Sequence, residues 1–284
     1  MSSNHLRTSS KNLQNRESGI ALISVLWALL LLSGLAGAAA FMARTDAILT
    51  HKLGEFAKAE STTDAALVNA IAMLSDEKTA RHPSIDGQPQ RWDFQGIPVT
   101  VSISHEAGRI DVNTADDDLV LAFLYSQGIP EDRATIMLSD LRKFQHVAAG
   151  PAPVGTLRTI EELWKIPTWA AQNLDCLTDS LTVYTGLPNV NPSEAAEQVD
   201  AAIKWAKEHH LSNREWASAS GAAGARSDQS LLGDVLRIVA STSPTPGITA
   251  SSEWIGRLTG DAHRPTLTMR WSRMADWRCK NIVK

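Results

Sequence analysis

Hydrophobic positions form an uninterrupted run near the N-terminus of the chain. Residues 20–43 contain no charged side chain. About 24 helical residues, at 1.5 Å rise per residue, are enough to cross the roughly 30 Å hydrocarbon core of a bilayer. The polar residues before this run include Arg7, Lys11 and Arg16, against one acid, Glu17. The pattern predicts a membrane-spanning helix whose basic flank stays on the cytoplasmic side.

A second pattern continues directly from the first. Apolar or small residues recur at steps of three, four or seven, with charged residues between them: Leu49, Leu53, Phe56, Thr63, Leu67, Ile71 and Leu74. This spacing places one apolar stripe along an amphipathic helix. A single helix from Ile20 to about Asp76 would be about 85 Å long. We expect Leu53, Phe56, Leu67 and Ile71 to face a β-sheet.

The next segment alternates apolar and polar residues, as a half-buried hairpin does. Residues 92–94 and 99–103 each alternate, with Gly96 and Pro98 between the two runs. A strand-like stretch at 108–112 follows. Thr114, with Asp117 three residues later, resembles a capping box at the start of a helix. We interpret Asp116–Asp118 as helix N-terminal residues, because consecutive helical residues point in different directions and cannot share a metal ion.

The remaining pattern predicts a helical block followed by strands. Helices are expected at 115–127, 130–145, 159–165, 168–175 and 193–210, and strands at 235–240, 251–260 and 265–277. Strands on both sides of a helical block favour one α+β domain with a helical insertion over two domains in series. The predicted segments are 1–19 (leader), 20–43 (transmembrane helix), 44–112 (first part of the head), 113–217 (inserted α-helical domain), 218–230 (linker) and 231–284 (C-terminal strands).

Charge is distributed unevenly along the 284 residues, whose formal net charge is −4. Residues 113–200 hold five Lys or Arg against thirteen Asp or Glu, and residues 201–284 hold twelve against seven. A nucleic-acid-binding face needs clustered basic residues to displace counterions. The acidic middle therefore argues against such a face, and both regions are explained by solvation.

Cysteine and metal-binding patterns are sparse. The two cysteines, Cys176 and Cys279, form no CxxC motif, and both a disulfide and two free thiols remain open. Histidines are scattered, and no spacing typical of a zinc site occurs. The hydrolase motifs GxSxG and HExxH are also absent, so no enzyme is expected.

The junction between polar leader and apolar run carries the strongest family resemblance. A secretory signal has its cleavage site after the apolar stretch, whereas here the small residue Gly19 precedes it. The segment resembles a prepilin leader, which implies cleavage by prepilin peptidase between Gly19 and Ile20 and N-methylation of Ile20. The alternative is an uncleaved signal anchor. Pilins usually carry Glu at the fifth mature position; here that residue is Ser24, a departure typical of the minor pseudopilin K of type II secretion systems.

Two further segments resemble the same family. GRIDVNTA (108–115) is similar to the segment that enters its inserted domain, and 159–195, with TIEELWKIP and LTVYTG, is similar to its second signature. Arg270, Trp271 and Trp277 resemble its closing strand. The resemblance implies a pilin-like α+β fold: a long N-terminal transmembrane and amphipathic helix on an antiparallel sheet, with a large all-helical domain inserted between strands.

Departures from the family pattern limit what can be transferred. Some members bind calcium, which requires six to eight oxygen ligands. The corresponding loop here offers Asp140 and little else, so we expect no cofactor and no metal ligands. The turn glycine of the second signature is replaced by Thr168.

The resemblance implies a structural role. The expected protein is a single-pass inner-membrane pseudopilin, with its N-terminus cytoplasmic and its C-terminal domain periplasmic, at the tip of the type II secretion pseudopilus. Its expected partners are the minor pseudopilins I and J, prepilin peptidase and the membrane, with no nucleic acid. The alternative is a membrane-anchored helix-hairpin-helix protein for DNA uptake. Thr168 and the acidic block disfavour it, because such hairpins use glycine to let backbone N–H groups approach phosphate.

Overall fold

The computed structural model describes residues 11–76, 82–147, 156–171, 177–209, 211, 233–261 and 263–274. The chain divides into two compact units, Met1–Glu55 and Phe56–Lys284. The predicted linker 218–230, the loop 148–155, Trp277 and both cysteines lie outside the described residues. The predicted segment boundaries stay predictions.

The long N-terminal helix, α1, spans Lys11–Ser75 and so begins nine residues before the predicted start at Ile20. Among the described residues it is the one helix long and apolar enough to cross a membrane. Within the second unit, its buried positions are Ala59, Thr62, Thr63, Ala66, Leu67, Ala70 and Leu74. These positions lie on one face of the helix and confirm the predicted amphipathic stripe in this part of it.

A five-stranded antiparallel sheet packs on that stripe. Its strands are β1 (Gln90–Phe94), β2 (Ile97–His105), β5 (Val235–Thr245), β6 (Ile248–Asp261) and β7 (Arg264–Met274), in that spatial order. The first two strands confirm the predicted hairpin. Gln95 and Gly96 join them with φ of 54° and 82°, the pair of positive values that a two-residue hairpin turn with matching twist requires.

The core between helix and sheet, here called the sheet core, is apolar at its centre. It contains Leu67 and Leu74 from α1, Val99, Val101 and Ile103 from β2, and Ile238 and Trp254 from the later strands. Ile71 packs against it, as predicted.

Two predicted core residues are not buried. Leu53 is 58% exposed and Phe56 is 42% exposed, so the expectation that they face the sheet was wrong. The physical reason lies about two to three turns further along the helix, where the contact between α1 and the sheet becomes polar. The Thr63 hydroxyl lies 2.9 Å from the Ser252 hydroxyl, and Asp64 accepts a hydrogen bond from Ser252 at 2.8 Å.

Between β2 and β5, which pair directly, the chain forms the inserted block, defined here as the described residues from 106 to 211. It contains α2 (Asp117–Ser126), α3 (Glu131–Val147), α4 (Pro167–Ala170) and α5 (Glu197–Glu208), with 3-10 turns at Glu106–Gly108, Ile160–Lys165, Thr178–Ser180 and Pro192–Glu194. The α+β fold with an inserted block is therefore confirmed. The block also holds a short parallel pair, β3 (Ile110–Asp111) with β4 (Leu181–Thr182).

Candidate functional site

The predicted cleavage junction lies inside helix α1. The backbone of Gly19 and Ile20 is helical, and residues 1–10 of the leader lie outside the described residues. Cleavage between these two residues and methylation of Ile20 therefore stay predictions.

Ser24, the fifth residue after that junction, is bonded within its own helix. Its hydroxyl donates to the carbonyl oxygen of Ala21 at 2.9 Å. Neighbouring side chains are apolar and exposed, such as Trp27 at 62% and Leu31 at 71%. A hydroxyl that bonds back to the helix adds little cost in an apolar environment, whereas a carboxylate there would need a partner.

The entry to the inserted block is organised by a buried carboxylate. Asp111, 2% exposed, accepts hydrogen bonds from the backbone N–H groups of Asn113, Thr185 and Gly186, and from the Thr185 hydroxyl. Asp111 lies in the GRIDVNTA segment, and Thr185 and Gly186 lie in LTVYTG. The two segments that carry the family resemblance thus contact each other, through the β3–β4 pair and this carboxylate.

A second set of contacts fixes the same segment to helix α3. The Arg142 guanidinium donates to the carbonyl oxygens of Val112 and Ala115 at 3.0 and 2.8 Å, and pairs with Asp117 at 2.7 Å. These contacts hold the turn before α2 against α3.

The predicted capping role of Thr114 was wrong. Helix α2 begins at Asp117, with Asp116 at the N-cap position. The Thr114 hydroxyl instead donates to the carbonyl oxygen of Leu187 at 2.8 Å. The sequence pattern did not show this longer-range acceptor, which lies 73 positions away in the chain.

Gly108 permits a close backbone approach at the base of the block. A Cβ at this position would overlap the carbonyl group of Glu194. The Asn191 N–H donates to the Ala107 carbonyl oxygen at 2.8 Å, and the Ala196 N–H donates to that of Gly108 at 3.4 Å. The two chain segments pass so closely that only glycine fits.

A row of alternating charges, here called the charge ladder, lies on the sheet face opposite helix α1. Glu106 pairs with Arg237 at 2.6 Å, Arg237 with Glu253 at 3.2 Å, Glu253 with Arg270 at 3.2 Å, and Arg270 with Glu161 at 2.5 Å. The first four residues stand at the end of β2 and on β5, β6 and β7, and Glu161 belongs to the inserted block. The ladder therefore crosses the sheet and ends on the block.

Burial and charge set the ionisation of this ladder. Burial raises the pKa of the Glu106 carboxyl, but the guanidinium groups of Arg237 and Arg109 outweigh burial and hold that pKa below its ordinary value. Burial lowers the pKa of the Arg109 guanidinium to about 10, assisted by repulsion from Arg237. Burial also opposes the charge of Arg237, yet Glu106 and Glu253 raise its pKa above the ordinary value. Glu106 and Arg237 are therefore both charged at neutral pH.

Sequence reasoning missed most of this ladder. Arg237 and Glu253 each stand as single charges in apolar stretches, IVA following Arg237 and WIG following Glu253. A lone charge in a predicted strand was a usable signal, because a buried charge needs a partner. Only the strand pairing shows that these particular residues meet.

The segment proposed as a helix-hairpin-helix has other contacts. Ile160–Lys165 is a 3-10 helix, Ile166 is extended, and α4 follows. The Thr168 hydroxyl donates to the carboxylate of Asp140 at 3.2 Å, and the buried Trp169 donates its ring N–H to the Met137 carbonyl oxygen at 2.8 Å. An acidic neighbour and a proline in the turn, which lacks an N–H group, disfavour phosphate binding.

Metal ligands do not converge within the described ranges, where no three His, Cys, Asp or Glu side chains lie together in a position to hold an ion. Asp140, the acid expected to remain from a calcium loop, contacts Thr168 and pairs with Lys143 at 3.3 Å. The contact with Thr168 gives Asp140 a role in packing α3 against α4.

Comparison with known proteins shows likeness in structure but not in sequence. No family model and no curated protein matches the chain. A chain in the crystal structure of the GspK–GspI–GspJ complex from the enterotoxigenic Escherichia coli type 2 secretion system is similar to it, at 9% sequence identity and a TM-score of 0.47, over 82% of this chain and 99% of that chain.

Proposed function

We propose that this protein is a minor pseudopilin of type K, a structural and non-enzymatic subunit at the tip of the type II secretion pseudopilus. The main support for the proposal is the position and bonding of Ser24. It is the fifth residue after a leader-type junction, it lies in an uncharged helix, and its hydroxyl is satisfied by Ala21. The block inserted between β2 and β5 of a pilin-like head supports the same assignment.

The physical case for a tip position concerns the partner that a carboxylate would need. In the family that the leader resembles, the fifth-position carboxylate pairs with the terminal ammonium of the subunit ahead. An unpaired acid at membrane depth costs about 3 kcal/mol on insertion scales. A subunit with nothing ahead of it should therefore lack that acid. Serine meets this requirement because its hydroxyl finds its hydrogen-bond partner within its own helix.

Processing and location follow from the same proposal. Prepilin peptidase cuts between Gly19 and Ile20, and Ile20 becomes N-methylated. The apolar part of α1 anchors the protein in the bacterial inner membrane, with the N-terminus cytoplasmic and the head periplasmic. There it assembles with the minor pseudopilins I and J and supports export of folded periplasmic proteins across the outer membrane.

Mass spectrometry of the mature N-terminus tests the proposal. Co-production with prepilin peptidase should yield a chain that starts at methylated Ile20, and Gly19→Val should block cleavage. Gly34→Ala is the matched control, because it changes a glycine of the same helix where nothing lies within 4 Å of an added Cβ. It should be processed normally. An intact residue 1 beside an active peptidase would reject the pseudopilin assignment.

Co-purification tests the proposed partners. The full chain, extracted in detergent from cells that also contain the minor pseudopilins I and J, should retain both on affinity capture. Capture of neither protein, with correct processing at Ile20, would leave a pilin-type subunit but reject the tip complex.

A further inference from the structure

The sheet and the inserted block have separate hydrophobic cores. The sheet core is formed by residues of α1, β2, β5 and β6. The core of the block is formed by residues between Ile110 and Ala206, with Phe123, Met137, Leu141 and Trp169 among the fully buried side chains. The two clusters share no residue. Their relative placement therefore depends on the contacts between them.

Polar contacts join these two bodies. The charge ladder starts at Glu106, where the chain leaves β2, and ends at Glu161 in the middle of the block. Glu106 is held near the sheet by chain continuity. Glu161 lies more than fifty residues further along the chain, and it reaches the sheet through the side chain of Arg270.

The Arg270–Glu161 pair is also the most exposed step of the ladder. Glu161 is 38% exposed and Arg270 is 21% exposed, whereas Glu106, Arg237 and Glu253 are between 0 and 11% exposed. Water can therefore solvate Arg270 and Glu161 when this pair breaks, at a moderate cost in free energy. The inner steps cannot open so easily, because they would leave buried charges unpaired.

We infer that Arg270 and Glu161 form a latch that holds the inserted block against the last strand of the sheet. When the latch opens, both hydrophobic cores stay intact, and the part of the block around residues 160–166 separates from β7. The latch gives the subunit two discrete arrangements of its block. Arg270 also pairs with Glu253 at 3.2 Å, and it keeps this partner when the latch opens. This inference does not depend on the proposed function.

Hydrogen–deuterium exchange of the full chain in detergent tests the latch. Glu161→Gln removes the outer charge and leaves Arg270 paired with Glu253. We expect exchange in 160–166 to rise about fivefold, the factor that corresponds to about 1 kcal/mol. Exchange within α2 and α3 should not change, because the core of the block stays closed. Arg270→Gln should give the same pattern, with an added loss of stability from Glu253.

Arg273→Gln is the matched control. Arg273 lies on the same strand and also pairs with acids, Glu60 and Asp64, but these belong to α1 and not to the block. It should leave exchange in 160–166 unchanged. Raising the salt from about 0.1 to about 1 M should accelerate exchange in 160–166 in the wild type, because salt screens the attraction between Arg270 and Glu161. It should not do so in Glu161→Gln, which lacks this charge pair. Unchanged exchange in Glu161→Gln, or equal acceleration throughout the block, would overturn the latch.

Discussion

The carboxylate of Asp111 accepts a hydrogen bond of 2.8 Å from the backbone N–H of Gly186, 75 positions further along the chain. Gly186 has a φ of +66°, in the left-handed region that favours glycine. The carboxylate thus fixes a turn that follows β4 beside the strand β3 that contains Asp111. The two separated segments thus form one folded unit at the entry to the inserted block.

Replacement of Asp111 should destabilise the block. Asp111→Asn keeps one oxygen acceptor but places an amide N–H group against another donor, and should lower the free energy of unfolding by about 2 kcal/mol. Urea denaturation of the full chain in detergent, followed by tryptophan fluorescence, measures the change. Asp86→Asn is the control, since Asp86 is exposed and accepts a hydrogen bond from the backbone N–H of Gln88. It should change stability by less than about 0.5 kcal/mol, and an equal effect of both variants would contradict the role of Asp111.

Acid should weaken the latch in a defined direction. Burial raises the pKa of the Glu161 carboxyl, but the hydrogen bond and positive charge of Arg270, together with hydrogen bonds from the local backbone and Thr159, outweigh burial and lower that pKa below its ordinary value. A carboxyl with a lowered folded-state pKa contributes stability above its unfolded-state pKa, and that contribution is lost as pH falls through the folded-state value.

The wild type should therefore lose more stability than Glu161→Gln as the pH falls from about 6 to about 3. Urea midpoints at a series of pH values measure this difference. Identical pH profiles for wild type and Glu161→Gln would show that Glu161 is not linked to folding.

Substitutions in the buried and exposed parts of the helix stripe should change the unfolding free energy by different amounts. Leu67 is fully buried in the sheet core, so Leu67→Ala should cost about 2 to 5 kcal/mol of unfolding free energy. Phe56 is 42% exposed, and Phe56→Asp should change stability by about 0.5 kcal/mol or less. Urea denaturation compares them directly. A large loss for Phe56→Asp would mean that this side chain is buried in the folded protein.

Ser24 should tolerate loss of its hydroxyl but not gain of a charge. Ser24→Ala removes only a local bond to Ala21 and should leave membrane insertion and secretion near wild type. Ser24→Glu adds an unpaired carboxylate at a cost of about 3 kcal/mol and should reduce both. Membrane fractionation and a secretion assay measure the two effects. Secretion that is lost in Ser24→Ala and supported by Ser24→Glu would place the subunit inside the filament.

The sequence alone determined the elements whose pattern is local. The uncharged run in 20–43 and the steps of three and four from Leu67 to Leu74 are helix signals, because a helix repeats every 3.6 residues whatever its partners. The alternation around Gly96 predicted the β1–β2 hairpin for the same reason. The order of elements also indicated the insertion, since strands stand on both sides of a helical block.

Only the tertiary structure decided which charged and polar residues meet. Thr114 had the spacing of a helix cap, but its acceptor proved to be Leu187, and Phe56 followed the helical stripe past the point where the contact with the sheet becomes polar. The charge ladder depends on strands that are adjacent in space but separated in the chain by the whole inserted block, as β2 and β5 are. Periodicity reports what a residue's own helix or strand requires, whereas hydrogen bonds and ion pairs between elements depend on register and packing, which no local pattern records.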